Sequence, residues 1–401
     1  MRRTIFLCVV SLFSLALIGA GRPPTDLFEP NGSAPSLTSG LSDWTRTHFD
    51  PQRSNYNILE TELEGTFSSL PSGFVSYEGT DNVFVAPSSV VVDDTIFWRD
   101  VTFSTDSDGF LLAATDFAGN ELWRVDVPAN AAFSRTSAPE VVGNTVLVME
   151  DITDGTTFES ETALVARSIS TGAELWRQPG GTASINTNES NPTMVADDTH
   201  VYVGWLDSSN DGQISKLDIA TGATVWQIEP DNNGSDEVEF MALTDPSTGL
   251  NMLVVTHFSN MVAYDTVTGA ELWENDLGEI NADLSVFTDP QDLILQGDLG
   301  FAVNNAKLAA VDLDTGATEW QKVYRGDDTC ESSNDAGFAS NGNTLFLSGE
   351  CDRDLVAYEL QTGTEVWRQS ILRGGGYNRA IGVSHRFVYS EGFDDSIGSF
   401  G

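Results

Sequence analysis

Asp207, Ser209 and Asp211, followed by Gly212 and then Asp218, have the spacing of a calcium loop. Such a loop places oxygen donors at positions one, three and five, glycine at six and a bidentate Glu at twelve. Here the twelfth position is Asp, and the flanking sequence has no helical period. Asp106-Ser107-Asp108-Gly109 carries a shorter version of the same chemistry, which serves a hairpin turn equally well. The turn is the reading that the spacing favours at both places. His48, His200, His257 and His385 are scattered and match no zinc pattern. Neither a Gly-x-Ser-x-Gly elbow, a P-loop nor His-Glu-x-x-His occurs. No motif assigns a catalytic residue or a cofactor ligand.

What must position these residues is a repeat. Thr171-Gly172 precedes Trp176, Thr221-Gly222 precedes Trp226, and Thr268-Gly269 precedes Trp273. The phrase returns as Thr315-Gly316 with Trp320 and Thr362-Gly363 with Trp367, and Gly119 to Trp123 is a shortened copy without the Thr. Successive tryptophans lie 53, 50, 47, 47 and 47 residues apart. A period of this size means stacked supersecondary units.

Asn260 to Trp273 shows what one unit contains. Met261 to Tyr264 is an apolar run suited to a buried strand, and Asp265 to Gly269 is a turn in which Asp bonds its own backbone. Ala270 to Trp273 opens the second strand of a hairpin. Other β-rich runs lie upstream of the hairpins, at Val146–Met149, Val201–Val203, Met252–Val255 and Thr344–Leu347. Weaker runs precede some of them, at Ala138–Val142 and Pro192–Ala196. About four strands per unit is the composition of a propeller blade. The expected fold is therefore an all-β, seven-bladed β-propeller of four-stranded blades, with eight blades if residues 45–85 hide another. Gly73–Glu78 pairing with Ser396–Phe400 would supply the N-terminal strand that closes the ring and removes an exposed edge.

These units resemble the repeats of the pyrroloquinoline-quinone (PQQ), quinoprotein dehydrogenase-like propeller superfamily, in particular its BamB-like non-catalytic branch. The family pattern, roughly Ala-x-Asp-x-x-Thr-Gly-x-x-x-Trp, is matched by Ala263, Asp265, Thr268, Gly269 and Trp273, and again by Ala310, Asp312, Thr315, Gly316 and Trp320. Ser168 and Glu359 depart from it at the Asp position, and Lys216 at the Ala position. Asp43 to Tyr56 is similar to the lead-in that such proteins carry before the first blade. The resemblance implies that Trp123, Trp176, Trp226, Trp273, Trp320 and Trp367 dock between neighbouring blades as structural residues.

Arg2-Arg3 followed by an apolar run from Ile5 to Ala20 reads as a secretory signal peptide over residues 1–21, too short to favour a membrane span. Residues 22–42, rich in Pro, Gly and Ser, read as a flexible tether to the propeller of residues 43–401. Export places the protein in the periplasm, on the cell surface or outside the cell. Cys8 goes with the signal, without the cleavage context of a lipoprotein. Cys330 and Cys351 remain, in loops that a propeller brings to one face, and export makes a disulfide the expected pairing. Closing a loop of about 20 residues would contribute on the order of 3 kcal/mol. Asn31, Asn188 and Asn233 head glycosylation triplets that mark surface loops at best.

The chain has 60 acidic against 19 basic residues and a formal charge of −41. Such a balance excludes nucleic acid and repels anionic lipid surfaces. Salt adaptation is the favoured reading, with screening of dense carboxylates by a salty exterior. The alternative is a functional acidic face on the connector side, from Asp106, Asp108, Asp207, Asp211, Asp231 and Asp236 through Asp327, Asp328, Asp352, Asp354, Asp394 and Asp395, open to a cationic partner or divalent ions.

Two functions follow from the resemblance. The favoured one is a non-catalytic propeller, without cofactor, that binds exported or cell-envelope proteins or surface glycans. The alternative is a dehydrogenase that oxidises alcohols or sugars with PQQ and calcium. Against it, the chain lacks the adjacent cysteine pair that many such enzymes carry near the cofactor, and fold analogy alone does not confer activity.

Overall fold

In a computed structural model of the chain, the residues described are 56–57, 89–99, 110–116, 119–157, 159–180, 194–206, 212–230, 238, 240–257, 260–277, 292–303, 307–323, 336–349, 354–370, 381–384 and 388–390. They fall in two compact units, one ending at Val238 and the other running from Glu239 together with residues 48–68.

Among the described residues the strands pair antiparallel, with one parallel exception at Tyr56–Asn57. After β1 (Tyr56–Asn57), the first sheet comprises β2 (Ser89–Val92), β3 (Thr95–Trp98), β4 (Phe110–Asp116) and β5 (Glu121–Asp126). The second has five strands, β6 (Ala131–Thr136), β7 (Glu140–Val142), β8 (Thr145–Asp154), β9 (Ser160–Ser168) and β10 (Glu174–Pro179). In the third stand β11 (Met194–Ala196), β12 (His200–Leu206), β13 (Gly212–Asp218) and β14 (Thr224–Ile228). These three make up the first unit.

The second unit begins with β15 (Phe240–Leu243), β16 (Met252–His257), β17 (Asn260–Asp265) and β18 (Glu271–Asp276). Its next sheet holds β19 (Asp292–Gln296), β20 (Leu299–Val303), β21 (Lys307–Asp312) and β22 (Thr318–Val323). There follow β23 (Ala336–Ser340), β24 (Thr344–Gly349), β25 (Asp354–Glu359) and β26 (Glu365–Ser370). A three-stranded sheet of β1, β27 (Ile381–Ser384) and β28 (Val388–Ser390) completes it. In that sheet Tyr56 and Asn57 pair in parallel with Val383 and Ser384. An early strand thus joins a late one, whereas Gly73–Glu78 and Ser396–Phe400, the pair expected from sequence, lie outside the described residues. So do residues 1–42.

The middle strands of the second sheet are apolar on both faces because that sheet is covered on both sides within its unit. Val146, Val148, Ala163 and Val165 of the second sheet pack with Phe97, Leu112, Ala114 and Trp123 of the first. The opposite face, with Leu147, Met149, Leu164 and Ala166, packs on Val201, Val203 and Leu217 of the third. In the second unit, Met261, Ala263 and Trp273 meet Leu293, Leu295, Val311 and Leu313 in the same way.

The outer strand of each repeat is bulged just before its tryptophan. Ala263 pairs with Trp273 and Tyr264 with Glu271, so Leu272 has no partner across the ladder. The same shift occurs at Leu122, Leu175, Val225, Glu319 and Val366. A bulge breaks alternation, so Glu271 and Leu272 both face solvent while Trp273 turns inward. Bulges and carboxylates on an edge strand also discourage pairing with another chain.

Candidate functional site

The most regular polar constellation is the turn of each repeat. Asp265 Oδ1 accepts hydrogen bonds from the Thr268 amide at 2.7 Å and from its hydroxyl at 2.7 Å. The Thr268 hydroxyl in turn accepts from Ala270 N at 3.3 Å. Gly269 closes the turn at φ 74° and donates to Asp265 O at 2.8 Å. Asp312 with Thr315 and Asp218 with Thr221 repeat this arrangement. Glu359 takes the Thr362 hydroxyl at 2.6 Å, and Asp116 takes the amide and side chain of Asn120 where the Thr is missing. The Asp218 carboxyl lies below its ordinary value of 3.8, chiefly through the Thr221 hydroxyl.

The turn of one repeat receives the tryptophan of the preceding one. Trp123 donates its indole N–H to Ile169 O at 2.9 Å, and Trp176 to Ile219 O at 2.7 Å. In the second unit Trp273 donates to Leu313 O at 2.8 Å and Trp320 to Leu360 O at 3.1 Å. Each ring lies against the turn glycine of the same partner repeat. A Cβ on Gly172 would stand 2.5 Å from Trp123, and on Gly222, Gly316 or Gly363 2.6–2.7 Å from Trp176, Trp273 or Trp320. Within its own sheet the tryptophan meets an aromatic ring: Phe97 for Trp123, Tyr202 for Trp226, Phe301 for Trp320 and Phe346 for Trp367.

Lysine is used inside rather than outside. Lys216, which replaces the repeat's Ala, is 7% exposed with its ammonium 5.3 Å from the centre of the Tyr202 ring, a cation–π distance. Lys307 is 2% exposed, and burial pushes its pKa down. Lys322 of β22 reaches over Tyr358 in the neighbouring sheet.

One buried ionic group has no precursor in the motif reading. Glu150 on β8 is fully buried; its Oε1 accepts from Arg167 Nη2 at 2.5 Å and Nε at 3.1 Å. Its Oε2 accepts from Arg177 Nη2 at 2.7 Å, and Glu174 holds the same nitrogen at 3.0 Å. Burial opposes the charge of Arg177, yet Glu150 keeps its pKa raised. A sequence signal existed for this group. The residue before the turn acceptor is Thr115, Leu217, Tyr264, Val311 or Tyr358 in other copies, and Arg167 in one.

Of the partial calcium loop only its sixth and twelfth positions, Gly212 and Asp218, lie among the described residues. Gly212 and Asp218 occupy opposite ends of β13, so they lie about 20 Å apart. The Asp218 carboxylate is engaged by Thr221. Asp207 to Asp211, Asp106 to Gly109, Cys330 and Cys351 lie outside the described residues, as do all the connector-side carboxylates named above except Asp354. Asp354 is half-buried and pairs with Arg368 at 3.2 Å. His200 Nδ1 sits 3.6 Å from Asp197 Oδ1. Among the described residues, no three His, Cys, Asp or Glu side chains converge as metal ligands would.

No curated protein matches the sequence. The fold is similar to that of BamB from Moraxella catarrhalis, at 16% identity, covering 74% of this chain and 81% of that one with a TM-score of 0.50. It is also similar to the quinohemoprotein alcohol dehydrogenase from Comamonas testosteroni, at 13% identity, 86% and 69% coverage and a TM-score of 0.55. A europium-containing methanol dehydrogenase matches at 14% identity, 88% and 89% coverage and a TM-score of 0.53. These likenesses carry the fold class, an all-β propeller. Residues 79–205 and 210–387 match the family described as outer membrane protein assembly factor BamB, and the chain belongs to that family.

Proposed function

We propose that this protein is an exported, non-catalytic scaffold that binds other exported or cell-envelope proteins, or surface glycans, without a cofactor. The observation that carries the reading is membership of a family described as an assembly factor. The use of polar groups supports it. Asp218, Asp265 and Asp312 serve their own turns, and Glu150 serves two arginines, which leaves none of them to do chemistry. The outer strands meanwhile expose Leu122, Leu175, Leu272 and Val366 beside carboxylates, a surface suited to protein contact. Among the described residues no helix is long and apolar enough to cross a membrane.

The leader at residues 1–21 supports export, and the net charge of −41 supports partners other than nucleic acid. The disulfide between Cys330 and Cys351 belongs to this proposal as the expected state of an exported chain. A PQQ- and calcium-dependent dehydrogenase is the second reading, motivated by likeness in fold to such enzymes. Among the described residues no three His, Cys, Asp or Glu side chains converge to hold its calcium ion.

The test uses a photo-crosslinking residue at Leu175 or Leu272 in exporting cells, with one at buried Val148 as control. The scaffold reading expects one discrete exported protein or glycan to be trapped from the exposed positions only. Calorimetric titration with PQQ in calcium and molar salt, followed by dye reduction on alcohols and sugars, tests the second reading. Stoichiometric binding with turnover would replace the scaffold by an enzyme.

A further inference from the structure

We propose that Glu150, Arg167 and Arg177 form an ionic joint that takes over, in the second sheet, the task of the turn carboxylate the repeat has lost. Ser168 stands where Asp218, Asp265 and Asp312 stand in other copies. Those carboxylates hold the Thr-Gly turn by accepting from the Thr amide and hydroxyl. Ser168 does not do this; its hydroxyl meets that of Ser170 at 3.1 Å. The turn nevertheless has the same shape, with Gly172 at φ 68° and its amide 2.9 Å from Ser168 O.

Arg167 supplies the missing hold from the other side. Its Nη1 donates to Gly172 O at 3.3 Å, while Nε and Nη2 are fixed by Glu150. Arg177, on the strand that leaves the turn, grips the second oxygen of the same carboxylate. The turn is therefore tied to β8 through two arginines on β9 and β10. By strand alternation Glu150 shares its face with Val146 and Val148, and Arg167 with Ala163 and Val165. That face packs against Trp123 and the first sheet, and Gly172 is the glycine on which Trp123 rests. Loss of the joint would loosen the contact between the first two sheets, not just a surface turn.

A buried carboxylate between two guanidiniums could be an ordinary core ion pair, indifferent to the turn. Restoring the carboxylate at 168 separates the two cases. The variants are Glu150→Gln, Ser168→Asp and the double, read by hydrogen exchange at the Gly172 amide and the Trp123 indole. The joint predicts exchange about tenfold faster at both in Glu150→Gln, with Gly222 and Trp176 unchanged. It further predicts that Ser168→Asp slows exchange far more in the Glu150→Gln background than in the parent, because only there is the turn unheld. Equal effects of Ser168→Asp in both backgrounds, or acceleration spread evenly over the unit, would overturn the proposal. Should Glu150→Gln fail to fold, Arg177→Gln, at a half-buried position, runs the same cycle with the same outcomes.

Discussion

Gly316 lies so close to the indole of Trp273 that a Cβ there would stand 2.7 Å from ring atoms Cγ and Cδ2. It also has φ 72°, where L side chains are strained. One residue thus answers two demands, a left-handed turn and a close approach of backbone to ring.

Gly316→Ala is expected to cost roughly 2–5 kcal/mol, the sum of left-handed strain and overpacking. Gly249 provides the control, since it has φ 78° but nothing within 4 Å of an added Cβ. Gly249→Ala should cost about 1–2 kcal/mol, from the backbone alone. Urea unfolding of the two variants measures the difference, and equal losses would mean that ring contact contributes nothing.

Trp273→Ala should destabilise by about 3–5 kcal/mol, the range for a buried aromatic cut back to a methyl group. Trp273→Phe keeps most of the apolar area but leaves the Leu313 carbonyl without its indole donor. That change should cost about 1–3 kcal/mol. Thermal melting checks both, and an unchanged midpoint for Trp273→Ala would remove the docking role from this residue.

Acid should weaken the turns before the core. The carboxyls of Asp218 and Asp154 are depressed below 3.8, the first chiefly by the Thr221 hydroxyl and the second by the Thr157 amide. A depressed folded value means that the stabilisation is fully present above about pH 4 and is lost as pH falls through the folded value. Stability should therefore be flat from pH 7 to about 5 and decline below 4 as far as these groups are concerned. Asp218→Asn should flatten that decline, as read from melting midpoints across the series.

Salt should stabilise. With 60 acidic and 19 basic residues, and two of three lysines buried, surface repulsion is poorly balanced. Screening shortens the reach of that repulsion to about 3 Å at molar ionic strength. The melting midpoint is expected to rise from low salt to 2 M NaCl, and to the same extent in KCl. A rise confined to millimolar calcium would point instead to specific ion binding.

The repeat made most of the local architecture legible in the sequence. Asp265, Thr268 and Gly269 interact within five residues of one another, so their types at that spacing suffice to predict the turn, and the apolar runs on either side predict the strands. Interactions across longer stretches of chain were legible only as a resemblance. The indole of Trp273 finds Leu313 O across 40 residues, and nothing local in either segment specifies that meeting. The bulge before each tryptophan was hidden as well, because Glu271-Leu272-Trp273 reads as plain alternation until the ladder shows Leu272 left out.

Sequence alone determined the period, the hairpins, the acidic composition and the absence of a motif for catalysis, since each depends on residue type and short spacing. Tertiary structure decided the rest. Glu150, Arg167 and Arg177 look like three unremarkable charges in a chain crowded with them, and only folding buries the carboxylate and brings both guanidiniums onto it. Burial is the physical reason: it makes a lone charge costly, so each partner's identity matters only once the strands have closed over it.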